Sequence, residues 1–403
     1  MANEIDPRLL AQLASRRRFI GGGAAAAAAL VLGPSFLAAC SKSDNSSGSA
    51  SGPAAPSDDG KPATGKLRIS NWPLYMADGF IAAFQTATGL TVDYKEDYND
   101  NEEWFAKNKE PLSRKQDIGA DLVVPTQFMA ARLNGLGWLN GISETRWTNK
   151  KNMRADLLDA KADPGRKFSA PYMSGMTALA YNRAATGRDI TKIEDLWDPA
   201  FKGKISLLAD TQDGLGMIML SQGGSVENPT MEYVQKAVDL IKEQKDKGQI
   251  RRFTGNDYAD DLASGNVVIA QAYSGDVVQL QKDNPDLKFV VPETGATTFV
   301  DTMVIPYTTQ NQKAAEEWIN YVYDRPNYAK LIAHTQYVPV LSDMSDELNK
   351  IDPKLAANPL ICATLIIWLF TMRALMIVTS LVSYFLNEAI SKAKFGGQKD
   401  FDF

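Results

Sequence analysis

Four short stretches of this 403-residue chain set aromatic residues beside acids or hydroxyls. "NWPLY" supplies Trp72 and Tyr75, "VPTQF" supplies Thr126 and Phe128, "AYSGD" supplies Tyr273 and Asp276, and "FVD" supplies Phe299 and Asp301. These residue types suit a ligand built from ammonium groups joined by methylenes, an alkyl diamine or longer polyamine. Carboxylates hold the ammonium ends, while flat rings cover the methylenes and add cation–π attraction. A charge-assisted hydrogen bond nets about 1.5–3 kcal/mol, and a desolvated cation–π contact contributes up to about 2 kcal/mol. Two acids and three aromatics can therefore exceed the ordering cost and reach micromolar binding, which needs about 8 kcal/mol. Taken singly, each aromatic reads as core and each aspartate as a turn former or cap.

Catalytic chemistry has little to work with. The chain holds one histidine, His334, and two cysteines, Cys40 and Cys362, which leaves a zinc site of the usual His/Cys type nearly excluded. No Gly-x-Ser-x-Gly elbow or phosphate-binding glycine loop occurs in the folded part. His334 reads as a helix-end residue, because no nucleophile motif accompanies it. The expectation is a binding protein with no cofactor and no metal.

The elements that must position these residues alternate short β-branched runs with helical patterns from Lys66 onward, the signature of an α/β fold with largely parallel sheets. "KLRIS", "LTVDYKED" and "ADLVVPT" read as strands, the last apolar enough for burial on both faces. "MADGFIAAFQTATG" reads as an amphipathic helix stopped at Gly89. "KFSAPY" and "MTALAYN" read as two strands with a break at Tyr172 to Gly175. A second unit follows with strand "KISLLAD", helices "LGMIMLSQ" and "TMEYVQKAVDLIKEQKDKG", and strands "VVIAQAY", "KFVVPET" and "TTFVDTMVIP". Helix "NQKAAEEWINYVYD" is expected to end at Arg325-Pro326. In the strand "FVD", residues two apart share a face, so Phe299 and Asp301 point the same way. In open α/β sheets the carboxyl ends of strands face the ligand crevice, so these loops can converge.

The length suggests two lobes of ordinary size. Residues 1–39 read as an export signal: Ser15-Arg16-Arg17-Arg18-Phe19-Ile20 resembles a twin-arginine motif, and Leu37-Ala38-Ala39-Cys40 resembles a lipobox with Cys40 as the lipidated residue. Residues 40–65 then form a Ser/Gly/Pro-rich tether too poor in large apolar side chains to fold. Removing the signal changes the formal charge from −5 to −7, with 39 basic against 46 acidic residues remaining. An acidic body favours cationic ligands and disfavours nucleic acid.

From about Lys66 to about Pro359 the chain resembles the spermidine/putrescine-binding proteins, extracytoplasmic receptors of polyamine ABC importers. Six motifs in order carry the resemblance: "LRISNWPLYM", "ADLVVPTQFM", "PYMSGMTALAYN", "IEDLWDPAFKGKISLLAD", "NVVIAQAYSGDVV" and "FVDTMVIPYTTQNQKAAEEWINYV". The resemblance implies a two-lobed periplasmic-binding-protein fold of type II, each lobe a mixed, mostly parallel sheet flanked by helices, with the ligand in the cleft between them. It implies crossover strands, closure by a hinge, a monomer, and an ABC permease as partner. The expected division is 66–172 plus about 301–345 for lobe one, and 173–300 plus about 346–359 for lobe two.

Residue by residue, Trp72 and Tyr75 match the family's aromatic pair after the first strand, and Thr126 and Phe128 its polar–aromatic pair. Asp276 and Asp301 match ligand-facing acids, and Tyr337 falls at a ligand-facing tyrosine. Asp210 and Asp213 are candidates for the second lobe's acids. Asp301 is expected to anchor an ammonium. Phe299 and Tyr273 stand where the family has tryptophan, which lowers cation–π strength and leaves the preferred amine open. Agmatine, a cationic amino acid or an opine-like amine is the alternative ligand; a surface enzyme lacks the residues.

The C-terminus departs from the family's closing helices. Residues 360–386 are apolar throughout except Arg373, long enough to span a membrane, with Lys392, Lys394 and Lys399 in the polar tail 387–403. Arg373 would cost such a span roughly 2.5–3.5 kcal/mol. Since a lipid anchor makes a second anchor redundant, the stretch is read as an altered or out-of-frame segment in place of closing helices.

Overall fold

A computed structural model describes residues 57–358 apart from 211 and 227, together with residues 54 and 361. The export signal, Cys40, most of the tether, the apolar segment except Ile361, and the polar tail lie outside the described residues. Nine strands run in chain order: β1 (Lys66–Asn71), β2 (Thr91–Glu96), β3 (Leu122–Val123), β4 (Ser169–Asn182), β5 (Ile205–Leu208), β6 (Ile250–Thr254), β7 (Ile269–Tyr273), β8 (Leu287–Val290) and β9 (Thr297–Val304). Their spatial order is β2-β1-β3-β9-β4-β7-β5-β6, with β8 alongside β4. Parallel pairs sit towards both ends, β2-β1-β3 and β7-β5-β6. The antiparallel pair β9 and β4 joins them.

That central pair is the crossover. β4 buries Ala170, Tyr172 and Met173 in a first core with β1, β3 and their helices, then buries Ala178, Leu179 and Tyr181 in a second core with β5 and β7. β9 runs the opposite way, from Thr297 opposite Thr177 to Val304 opposite Ser169. Each lobe is thus a twisted sheet with its own apolar core, linked by two strands that belong to both. Every residue of β9 is buried, Asp301 among them.

Two sequence expectations are corrected, on β4 and on the residues after 345, and one further helix appears. β4 is one strand of 14 residues, because a register shift between Pro171 and Met173 absorbs the missing proline N–H without ending the ladder. The helix Gln312–Val322 ends before Arg325-Pro326 as expected, and that dipeptide then opens a second helix, Arg325–Thr335, since proline in the first helical turn loses no intrahelical hydrogen bond. The described residues beyond 345 do not return to the second lobe: Leu348, Leu355 and Ile361 are buried in the first core. The helix Asn101–Ser113 and strand β6 were not anticipated, the first because it carries few apolar residues, the second because its middle three residues, Arg251, Arg252 and Phe253, are exposed. Among the described residues, no helix is long and apolar enough to cross a membrane.

One buried carboxylate ties the first lobe together. Asp121, at the start of β3, accepts from Arg68 through its backbone N–H, Nε and Nη2 at 2.7–3.0 Å, and from Gln310 N at 2.8 Å and Thr309 Oγ1 at 3.0 Å. Burial pushes its pKa up, but Arg68 and the Gln310 amide outweigh this and hold it below the usual carboxylate value. Asp121→Asn removes the buried one of the two acids paired with Arg68, Asp117 being the other, and is expected to cost about 1.5–3 kcal/mol, read as a lower denaturant midpoint at unchanged m-value; an unchanged midpoint would contradict this role.

Candidate functional site

Trp72 and Tyr75 follow β1, Thr126 follows β3, Asn256 follows β6, Tyr273 ends β7, and Phe299 and Asp301 sit on β9 where the lobes meet. With Asp213 and Tyr337, these residues line one small cavity of about 10 Å³, room for about one water. Among the described residues, lysine, arginine and histidine are all absent from that lining.

Asp301 is the centre. Tyr75 donates its hydroxyl to Oδ2 at 2.6 Å, and Thr126 donates its hydroxyl to Oδ1 at 2.8 Å. Thr126 is free to do so because it occupies the N-cap position of the helix Gln127–Gly135 without using its side chain as the cap. A backbone bridge pairs Thr126 with Asp301 directly. Burial pushes the Asp301 carboxyl up to about 7, despite the lowering effect of the Tyr75 and Thr126 hydroxyls.

The walls are rings. Tyr75 meets Tyr337 edge to face at 5.1 Å between centroids, and Phe299 meets Tyr273 at 5.2 Å and Tyr337 at 6.0 Å. Trp72 packs on Tyr98 at 4.3 Å and donates Nε1–H to the Val124 carbonyl at 2.6 Å. Two glycines make room for Tyr337. A Cβ at Gly275 would lie 2.5 Å from its ring carbons, and a Cβ at Gly175 would lie 3.0 Å from the ring and 2.6 Å from Phe299. Two of the three cavity tyrosines, Tyr75 and Tyr337, also follow strained backbone: Leu74 has φ 61° and Gln336 φ 60°, conformations that cost a non-glycine residue on the order of 1–3 kcal/mol.

Three further acids surround Asp301. Asp213, the first residue of its helix, accepts from Thr297 Oγ1 at 2.8 Å. Asp210 accepts from the Gln212 and Asp213 amides at 2.9 and 3.1 Å, and from Asn101 Nδ2 at 3.3 Å. Asp276 accepts from Tyr337 at 2.6 Å, Tyr258 at 2.7 Å and Asn256 Nδ2 at 3.1 Å. Burial raises the pKa of all three, with Asp276 reaching about 6 and Asp213 pushed up further by its neighbour Asp210.

The structure thus brings together Trp72, Tyr75, Thr126, Asp213, Tyr273, Phe299, Asp301 and Tyr337. Asp210 and Asp276 lie behind the lining, bonded to Asn101 and to Tyr337. Phe128 is corrected: as the second residue of its helix it is buried in the first core and does not line the cavity. Sequence reasoning missed Asn256, Tyr258, Tyr98 and Asn101. Asn256 follows the unanticipated β6. Tyr98 and Asn101 follow β2, so the strand-end rule used for β1 and β3 would have flagged them had it been applied there.

The family of bacterial extracellular solute-binding proteins matches residues 79–363. The spermidine/putrescine-binding periplasmic protein of Escherichia coli is 28% identical over 270 residues, covering 67% of this chain and 75% of the relative. The putrescine-binding periplasmic protein PotF of the same organism is 29% identical over 320 residues, covering 74% and 80%. Among solved structures, a putative spermidine/putrescine ABC transporter from Listeria monocytogenes superposes with a TM-score of 0.68 at 21% identity, covering 82% of this chain and 99% of that one. The structural likeness establishes the two-lobed fold, and with the family match over most of the sequence, this chain belongs to the bacterial extracellular solute-binding proteins.

Proposed function

We propose that this protein captures a polyamine of the putrescine/spermidine class outside the cytoplasm and hands it to an ABC importer. One observation carries the reading: four buried aspartates gather around an aromatic cavity whose lining, among the described residues, holds no basic side chain. Keeping such carboxylates ionised without a counter-cation is unfavourable, and an ammonium ligand removes the deficit. The relatives' names, which include a putrescine/cadaverine-binding protein of Pseudomonas aeruginosa, support the same ligand class.

In this reading Asp301 anchors one ammonium, with Tyr75 and Thr126 orienting its carboxylate. Trp72, Tyr273, Phe299 and Tyr337 enclose the methylenes, and Asp213 faces the far end. Asp276 and Asp210 hold the walls in place rather than meeting the ligand first. The cavity is too small for a diamine as it stands, so entry requires the lobes to part at β4 and β9 and then close around the ligand. Lipidation at Cys40 after twin-arginine export would tether a monomer to the outer face of the cell membrane, near its permease. The chain's role is binding, without a catalytic step.

Calorimetry on the full chain in detergent, with putrescine, spermidine, agmatine, arginine and a neutral sugar, is expected to give Kd near micromolar for a polyamine, about 8 kcal/mol. Asp301→Asn should weaken it roughly 10- to 100-fold. Heat only with agmatine or arginine would move the ligand to the alternative amine class. Heat with none of the amines, or an unchanged Kd in the variant, would overturn the polyamine reading.

Stability should respond to pH with a defined sign. Asp276 and Asp301 have folded-state pKa values raised from 3.8 to about 6 and about 7, so the native state binds more protons than the unfolded chain between these limits. Their contribution is full below about pH 4 and is lost as pH rises through about 7. Acids with lowered values, such as Asp121, titrate below this window. Denaturant midpoints of the ligand-free protein are therefore expected to fall from pH 5 to pH 8, and Asp301→Asn should flatten the fall; a rise over that range would contradict the burial argument.

A further inference from the structure

The lobes touch at a point that the ligand reading does not use. Asn101 opens the helix Asn101–Ser113, whose Trp104 and Leu112 belong to the first core, whereas Asp210 follows β5 of the second lobe. Asn101 is buried, 2% exposed. Its Oδ1 accepts from Tyr98 OH at 2.8 Å and from Thr126 N at 3.3 Å, which fixes the amide's orientation. Its Nδ2 is thereby aimed at two acceptors, Thr126 Oγ1 at 3.1 Å and Asp210 Oδ2 at 3.3 Å. Thr126 passes its own hydroxyl proton donation to Asp301 at 2.8 Å. A continuous chain thus runs from Asp210 on one lobe, through Asn101 and Thr126, to Asp301 on the crossover strand.

Beside it the backbones nearly meet: Asn256 N donates to Asn99 O at 3.3 Å, and a Cβ at Gly255 would lie 2.2 Å from that same oxygen. The Asn101–Asp210 bond crosses between the lobes, whereas the bonds from Asn101 to Tyr98 and Thr126 lie within the first lobe.

We propose that Asn101 is a positioning residue that couples lobe closure to the carboxylate site, by donating to Asp210 across the cleft while holding Thr126 on Asp301. This rests on the solute-binding reading and not on which solute is bound. An amide is required at this place. It supplies a donor to Asp210 and acceptors for Tyr98 and Thr126 at once, and a carboxylate here would face Asp210 with like charge.

The test is a reciprocal swap read by the distance between spin labels on the full chain. Labels go on Lys109→Cys in the first lobe and Lys242→Cys in the second, with Cys40 and Cys362 replaced by serine, at about pH 8 so that a carboxylate pair does not share a proton. Distances are measured without ligand and with saturating putrescine. The parent is expected to show a short-distance, closed population. Asn101→Asp should lower its closed-to-open ratio roughly tenfold or more, and adding Asp210→Asn should restore it to within about threefold, because the donor and acceptor have exchanged places. A role confined to the first lobe would give no rescue. An unchanged ratio in Asn101→Asp, absence of rescue in the double variant, or a parent with no short-distance population overturns the coupling. A parent that closes but ignores putrescine speaks against the polyamine reading alone, and the swap is then read from the ligand-free populations.

Discussion

Burial of Asp301 without a counter-cation is the constraint on which the rest of the site depends. A carboxylate on a wholly buried strand must be hydrogen-bonded, neutralised or paired. Tyr75 and Thr126 supply two hydrogen bonds, but its pKa still rises to about 7, so ionising this carboxyl costs on the order of a few kcal/mol relative to water. Asp210, Asp213 and Asp276 are raised by burial as well, and at Asp213 the charges of Asp210 and Asp301 add to it. An ammonium between them removes desolvation and repulsion together. The free energy of closure and that of cation binding are then largely the same quantity, as in any linkage between a ligand and a conformational change.

The scaffold spends stability to hold the rings around that carboxylate. Tyr75 and Tyr337 each follow a non-glycine residue with positive φ, and both rings bond to buried acids, Asp301 and Asp276. Tyr337 is the more telling case. Its ring lies in the first core, its hydroxyl reaches an acid of the second lobe, and Gly175 and Gly275 leave no room for a side chain on either flank. β4 and β9 supply the rigid axis, because each carries residues of both lobes and neither ends at the boundary. Rings that cross the cleft in this way make the shape of the cavity a property of the closed state.

Much of this was legible in the sequence because strand ends are marked by residue type. β1, β3, β7 and β9 each pass from apolar runs into Trp72/Tyr75, Thr126, Tyr273 and Phe299/Asp301, and the structure brings all of these to one cavity. What was not legible depends on long-range geometry. Phe128 lies two residues from Thr126, but a helix begins between them, so its side chain turns into the core. That Asp276 and Asp210 lie outside the cavity lining depends on their partners, tyrosines, asparagines and backbone amides from elsewhere in the fold. Tyr172 to Gly175 read as a break because local reading cannot see the partner strand that carries β4 through it. Leu348 and Leu355 gave no sign of which core they join.

The most direct test of the central claim is the ionisation state of Asp301, followed by the carboxyl carbon resonance of aspartate-labelled protein and assigned through Asp301→Asn. Without ligand, the resonance should titrate near pH 7, about three units above an exposed aspartate. With saturating putrescine it should stay ionised well below that pH, with protons released on binding at pH 6. A resonance that titrates near 4 in the ligand-free protein, or that ignores the amine, would contradict the view that an uncompensated buried carboxylate drives recognition.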